Sequence, residues 1–322
     1  MPLSGTSALS RRGLLQAATA FAALGVAGCA GGGAGGAKPE GPTRRVETHQ
    51  GPVDIPADPQ RVVCLDQYAT IALLDVGIRP AATVDDLDDW MPAEHIDTYR
   101  ALPRVGGYQP EFERVLSVRP DLIIGNSAFT LSGGSTYEQL TGIAPTVILT
   151  SRVSGEWQEM ALQAADIVNR PEPMNRLRDR YLQRAAEIRR TYAAALERTR
   201  FNLVASFKSG SWNLCLPDSW SGVVLAEAGC RFGSAAEGRT GSAVEQSYEQ
   251  LGVLNDTSVL FYQVNPDGQV DQAMRALLDQ GAFQNLPAMR ESGGVPFKNL
   301  YVFGYSQALG ALDELEAVLR TR

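Results

Sequence analysis

With 322 residues the chain is long for a single hydrophobic core, and its 44% hydrophobic content is that of an ordinary soluble globular protein, so two lobes are expected. Twenty-nine basic residues against 36 acidic ones give a net charge of −7, which argues against nucleic acid as a partner. Lysine occurs only at 38, 208 and 298, an arginine bias that carries no functional reading.

The first 42 residues are not fold. Ser10–Leu15 reads SRRGLL, and the mildly apolar, Ala-rich run after it ends in Val26-Ala27-Gly28-Cys29. Residues 1–28 thus resemble a twin-arginine lipoprotein signal, with Cys29 as the acylated mature N-terminus; a plain signal cleaved at a small-residue site is the alternative. Residues 29–45 are Gly-rich at their start and cannot bury a core, so they form a flexible tether. The folded part is therefore expected outside the cytoplasm, lipid-anchored to the outer face of the cytoplasmic membrane. Cys64 lies in an apolar run and reads as a small buried hydrophobe, while a bridge between Cys215 and Cys230 is left open.

Arg61–Asp66 is a continuous apolar run of strand length, followed by a short helix over Ala69–Val76 and a second strand over Ala81–Val84. An acidic loop tipped by an aromatic, Asp85–Trp90, comes next. Glu111–Ser117 has helical spacing, and Asp121–Gly125 and Thr146–Thr150 read as buried strands. From Met174 to Arg198 there is no Gly or Pro, and Met174, Leu177, Tyr181, Ile188, Tyr192 and Leu196 form one apolar stripe. About 25 residues at about 1.5 Å each would span roughly 37 Å, the length of a strut between lobes. A single-domain surface helix is the alternative. Beyond it Asn202–Phe207, Val259–Val264 and Leu300–Phe303 read as strands, and Gly222–Ala228 and Ala308–Arg320 as helices. Alternating strands and helices predict an α/β fold with mostly parallel sheets. Its parts are an N-terminal lobe over 46–155, a helical connector over 156–200 containing the long interlobe helix, and a C-terminal lobe over 201–322. A ligand cleft is expected between the carboxyl ends of the two sets of strands.

Gly106–Ile124, GGYQPEFERVLSVRPDLII, has a Gly turn, then Pro, Glu, a short helix and a Pro-Asp-led strand; Tyr248–Phe261, YEQLGVLNDTSVLF, repeats the Glu-x-Leu helix and strand more loosely. With the lipobox and the long helix, these motifs resemble the class III substrate-binding lipoproteins of ABC importers, which carry ferric siderophores, haem or cobalamin. The second motif departs from the family pattern, since Asp256 is separated from the strand by Thr257 and Ser258. The resemblance implies a monomer that binds a ferric siderophore in the cleft and delivers it to a membrane permease, with haem or cobalamin as the alternative cargo. It also implies permease docking through Glu113 and Glu249, and no resident cofactor, iron entering only as part of a chelate.

Other chemistries are poorly served. Gly304-Tyr305-Ser306-Gln307-Ala308 approximates a nucleophile elbow, but the histidines, His49 and His95, both lie upstream, so an exported serine hydrolase remains a remote alternative. Two histidines are also too few for a direct metal-ion carrier, and no phosphate-binding Gly loop follows a strand. The residues expected at the cleft are Tyr68, Trp90, Tyr108, Asn126 and Phe129 from the first lobe, and Lys208, Trp212, Trp220, Arg239 and Tyr305 from the second. Flat rings suit a bulky, partly apolar ligand, and phenols and cations suit anionic chelate oxygens. A chelated metal then needs no ligand from the protein.

Overall fold

The structure, a computed structural model, describes residues 41–131, 137–292 and 294–322. The signal, Cys29 and most of the tether lie outside the described residues. A hairpin that the sequence did not signal opens the fold, β1 (Thr43–Val46) against β2 (Val53–Pro56). It is followed by β3 (Val62–Cys64), α1 (Gln67–Asp75), α2 (Ile96–Arg100), α3 (Phe112–Val118), β4 (Leu122–Asn126), α4 (Tyr137–Thr141), β5 (Thr146–Leu149) and α5 (Trp157–Ile167). β3, β4 and β5 pair in that order, all parallel, and every residue of the three is buried, as continuous apolar runs in a sheet covered on both faces require. The expected strand Ala81–Val84 is only a ragged edge: Ala82 bridges Val63 and Thr83 bridges Arg104.

The connector contains α6 (Pro171–Thr191) and α7 (Ala193–Arg198), in place of one helix from Met174 to Arg198. α6 starts three residues early because Pro171 is at home in a first turn, where no amide hydrogen is needed. It stops at Tyr192, whose φ of −108° and ψ of 22° leave the helical basin. Met174, Tyr181, Ala185 and Ile188 form its buried stripe.

The second half comprises β6 (Arg200–Ala205), β7 (Ser211–Cys215), α8 (Trp220–Glu227), β8 (Arg231–Phe232), β9 (Ala243–Ser247), β10 (Val259–Gln263), α9 (Gln272–Leu278), α10 (Gly281–Gln284), α11 (Pro287–Ser292), β11 (Val295–Phe297) and α12 (Tyr305–Leu319). Its sheet runs β11-β10-β6-β7-β9 with β8 beside β6, and it is mixed: β7 and β9 are antiparallel to their neighbours. The expected strand Leu300–Phe303 is instead an irregular buried run, the edge strand being formed upstream at Val295–Phe297.

α6 packs against α5 on one side and α8 and α12 on the other. Tyr181 packs against the rings of Trp157 and Tyr305, and Arg184 holds Glu316 of α12 at 2.7 Å. Tyr192, where α6 ends, donates its hydroxyl to the same Glu316 at 3.2 Å.

The start of α12 is also built on the first half. Gly304, its N-cap, has no side chain to offer, and Asp75 of α1 accepts from the Ser306 amide at 3.3 Å. The other oxygen of Asp75 meets Nε2 of His95 at 2.8 Å. Gln307 accepts from the Phe303 amide at 2.8 Å and donates to the Trp90 carbonyl at 2.7 Å. Cys64, Cys215 and Cys230 are buried and free, so no bridge joins the last two, and burial pushes the Cys215 thiol up to about 12.

A Cβ on residue 304 would lie 2.7 Å from Cγ2 of Ile71 and 2.9 Å from Oδ2 of Asp75. Gly304→Ala must therefore part α1 from α12. A loss of about 1–3 kcal/mol is expected in urea denaturation, and unchanged stability would show that the seam yields freely.

Candidate functional site

Parallel strands deliver their carboxyl ends to one edge of the sheet, and the loops there carry the candidate side chains. Past β3, Asp66 caps α1 by accepting from the Ala69 amide at 2.9 Å, which sets Tyr68 in the first turn. Past β4, Asn126 accepts from the Ala128 amide at 2.8 Å and so shapes the turn Ser127–Leu131 that carries Phe129. Gly106 adopts φ +96°, the left-handed region open to glycine, in the turn that leads to Tyr108. The single helical turn Asp88–Trp90 ends the acidic loop and brings Trp90 inward.

These rings meet rings from the second half. Tyr68 contacts Phe303 edge-on at 4.9 Å between centroids, and Phe129 at 6.2 Å. Phe129 lies 4.9 Å from Tyr108. Trp90 contacts Tyr301 at 5.0 Å and Phe303 at 5.8 Å, while Tyr301 also contacts Trp220 at 5.0 Å and Phe207 at 6.1 Å. Among these rings, a hydrogen bond between side chains also crosses the halves, from Nε1 of Trp220 to the Tyr68 hydroxyl at 3.2 Å. The remaining phenols are tied within their own halves, Tyr108 to Gln67 at 3.0 Å and Tyr301 to Gln263 at 3.2 Å.

Five of the expected cleft residues thus come together: Tyr68, Trp90, Tyr108, Phe129 and Trp220. Asn126 is buried and serves the turn, its side-chain nitrogen facing Sδ of Met160. Lys208 is exposed in the β6–β7 hairpin next to Phe207 and pairs with Glu245 at 2.7 Å. Arg239 is exposed, and among the described residues its guanidinium is held by the Ala235 carbonyl at 3.3 Å. Two expectations are corrected. Trp212 is fully buried within the second half, its indole donating to the Ser247 carbonyl so that β7 is fastened to the end of β9. Tyr305 is fully buried against Trp157 and Tyr181, because the first turn of α12 directs it to α5 and α6.

Sequence reasoning missed Tyr301, Phe303 and Phe207. Treating Leu300–Phe303 as a strand consigned its rings to a core, yet the alternation Tyr301-Val302-Phe303 just before a helix was a usable signal. Phe207 is 59% exposed, and its position at the end of the β6 run was the only clue.

The electrostatics follow from burial. Asp66 is fully buried and its carboxyl is pushed up to about 7, the Ala69 and Tyr68 amides offsetting part of the effect. Burial raises the Tyr68, Tyr108 and Tyr301 phenols, and nearby Asp66 raises the first two further. Glu113 and Glu249 are exposed, in the first turns of α3 and of the helical turn Tyr248–Leu254, and each of these segments leads into a strand. The elbow-like Ser306 has a buried Oγ with no hydrogen-bond partner, while His95 is engaged by Asp75. Asp75, Glu94 and His95 bring metal-capable atoms within 4.8 Å of one another, but both oxygens of Asp75 are already spent on the α1–α12 seam. No helix among the described residues is long and apolar enough to cross a membrane.

The family model described as periplasmic binding protein matches residues 62–292. A probable siderophore-binding lipoprotein of Bacillus subtilis is 31% identical over 191 residues, 58% of this chain and 57% of that relative, so little more than half of its length is matched. The Fe(3+) dicitrate-binding periplasmic protein of Escherichia coli is 26% identical over 226 residues, 67% of this chain and 70% of that one. Among solved structures, the siderophore periplasmic binding protein from the fuscachelin gene cluster of Thermobifida fusca superposes with a TM-score of 0.72 at 30% identity, covering 83% of this chain and 99% of that chain.

Burial of Asp66 has a measurable consequence. Its unfolded carboxyl titrates near ~3.9, so between there and about pH 7 the folded protein holds the extra proton, and stability falls as pH rises through that window. Asp66→Asn keeps a capping side chain but carries no charge. The variant should gain about 2–3 kcal/mol relative to the parent between about pH 5 and about pH 8 in urea denaturation. A pH-independent difference would overturn the buried-carboxylate assignment.

Proposed function

Because the chain belongs to the periplasmic binding protein family, we propose that it is the extracytoplasmic substrate-binding component of an ABC importer, binding a ferric siderophore between its halves and delivering it to the permease. One observation carries this reading: a continuous patch of rings drawn from both halves and joined by the Trp220–Tyr68 hydrogen bond. Such a surface grips a bulky, partly apolar ligand and releases it when the halves part, while the chelating groups supply every bond to iron. The lobes are then residues 46–155 and 201–322, with 156–200 as connector.

Transport requires no bond to be made or broken in the cargo, and the buried Ser306 Oγ, which has no base within hydrogen-bond reach, supports a carrier rather than a hydrolase. Haem is less well served, since the Tyr68 and Tyr108 hydroxyls are already hydrogen-bonded and burial disfavours their phenolates as axial ligands. The monomer is held at the membrane by acyl chains on Cys29. Exposed Glu113 and Glu249, one on each half, dock with cationic side chains of the permease, two separated charges fixing orientation as well as attraction.

Titration of purified protein with ferric siderophores, haem and cobalamin, followed by tryptophan quenching, tests the cargo. Siderophore binding is expected, and Trp220→Ala should weaken it by at least about tenfold without loss of cooperative unfolding. Tight binding of haem or cobalamin alone would overturn the siderophore reading. The docking role predicts that Glu113→Ala with Glu249→Ala leaves affinity within about twofold and abolishes cellular uptake; normal uptake by this double variant would refute it.

A further inference from the structure

On the reading that the ring patch holds a ferric chelate, we infer that the chelate is neutral or cationic overall and presents ammonium or guanidinium groups outside its iron-binding arms. The argument is the balance of charge around the rings. Asp66 is fully buried beside Tyr68 and Tyr108, and its Oδ2 has no hydrogen-bond partner, so burial favours its neutral form and only a cation brought to the foot of the patch would hold it ionised. The Asp85 amide donates to the Gly106 carbonyl at 2.8 Å and so draws the acidic loop to the Tyr108 turn, where exposed Asp86 raises the Tyr108 phenol; Asp271, which caps α9 through the Met274 amide, raises that of Tyr301 from the second half. Among the described residues, no arginine or lysine stacks on Tyr68, Tyr108 or Tyr301.

Three cations of the surrounding loops are already matched. Arg104 lies over the Tyr99 ring at 3.9 Å and faces Asp85 at 3.8 Å. Arg100 pairs with Asp88 at 2.7 Å, and Lys208 with Glu245 at 2.7 Å. Asp86 and Asp89 take part in no ion pair among the described residues. What remains is a ring surface with surplus carboxylates. Ring faces attract cations and repel anions, and the surplus acids act in the same sense. A polyanionic chelate would meet like charge at the rings, whereas a peripheral ammonium or guanidinium would have both ring faces and carboxylates to meet.

Four probes of graded charge test this by tryptophan quenching at low salt: ferrioxamine B as a cation, ferrichrome as a neutral chelate, and ferric dicitrate and ferric enterobactin as anions. The cationic or neutral trihydroxamate should bind on the order of 100-fold more tightly than either anion, and salt should narrow the gap. Asp86→Asn, which keeps a residue tolerant of the left-handed φ of 60° at this position, should reduce the preference for ferrioxamine B over ferric enterobactin by at least about threefold. Equal or tighter binding of an anionic probe would overturn the charge assignment while leaving the carrier reading intact. Failure of all four to bind would refute the carrier reading itself, and the charge assignment with it.

Discussion

The arrangement of the molecule depends on a carboxylate that caps a helix belonging to the other half of the chain. Asp75 ends α1, where a negative charge opposes the helix dipole, yet it is accommodated because the amino end of α12 abuts it and His95 donates from the side. Gly304 makes the approach possible by having no side chain in the gap. The same contact fixes where the Leu300–Phe303 run must pass, so the positions of Tyr301 and Phe303 are set by helix capping as much as by ring packing. Gln307, one turn into α12, extends the seam by holding both the Phe303 amide and the Trp90 carbonyl. Structural seam and ring patch are therefore neighbours along the same few residues.

That adjacency explains why the patch draws on so many loops. No single loop presents more than one or two rings, and each ring is braced by one from another element: Phe129 by Tyr68 and Tyr108, Tyr301 by Trp90, Trp220 and Phe207. Edge-on contacts at about 5 Å are worth only about 0.5–1.5 kcal/mol each beyond area burial. Contacts of that size hold the halves in register without making their separation prohibitive, which is what the proposed carrier role requires.

How much of this the amino-acid pattern revealed depended on whether local spacing or distant contact set the outcome. The three parallel strands of the first half were legible because a strand buried on both faces writes itself as an unbroken apolar run, as at Leu122–Asn126. α6 was legible from its stripe, but its interruption at Tyr192 was not, because that residue reaches across to Glu316, more than a hundred positions away. The loop aromatics Tyr68, Trp90, Tyr108, Phe129 and Trp220 were identifiable as candidates from their positions past strands. Trp212 and Tyr305 share that local setting and are nonetheless buried elsewhere, one fastened to the Ser247 carbonyl and the other enclosed by Trp157 and Tyr181. Only the pairing of β7 with β9 and the docking of α12 on α6 distinguish them, and both are tertiary facts.

α6 also constrains how the halves can move. It packs simultaneously on α5, α8 and α12, with Tyr181 bonded to Glu227 and Arg184 to Glu316. A wide hinge would have to break these buried and half-buried links together with the Asp75 cap, whereas a small rotation about the connector would leave them intact and separate only the ring contacts. On the proposed function, the ring contacts are the links between the halves that a ligand would replace. Specific recognition then falls to what the rings cannot supply: the unpaired oxygen of Asp66, the carboxylates of the acidic loop, and the hydroxyls that a ligand must compete for. On the proposed function, ring area would provide grip that many chelates share, and charge would decide among them.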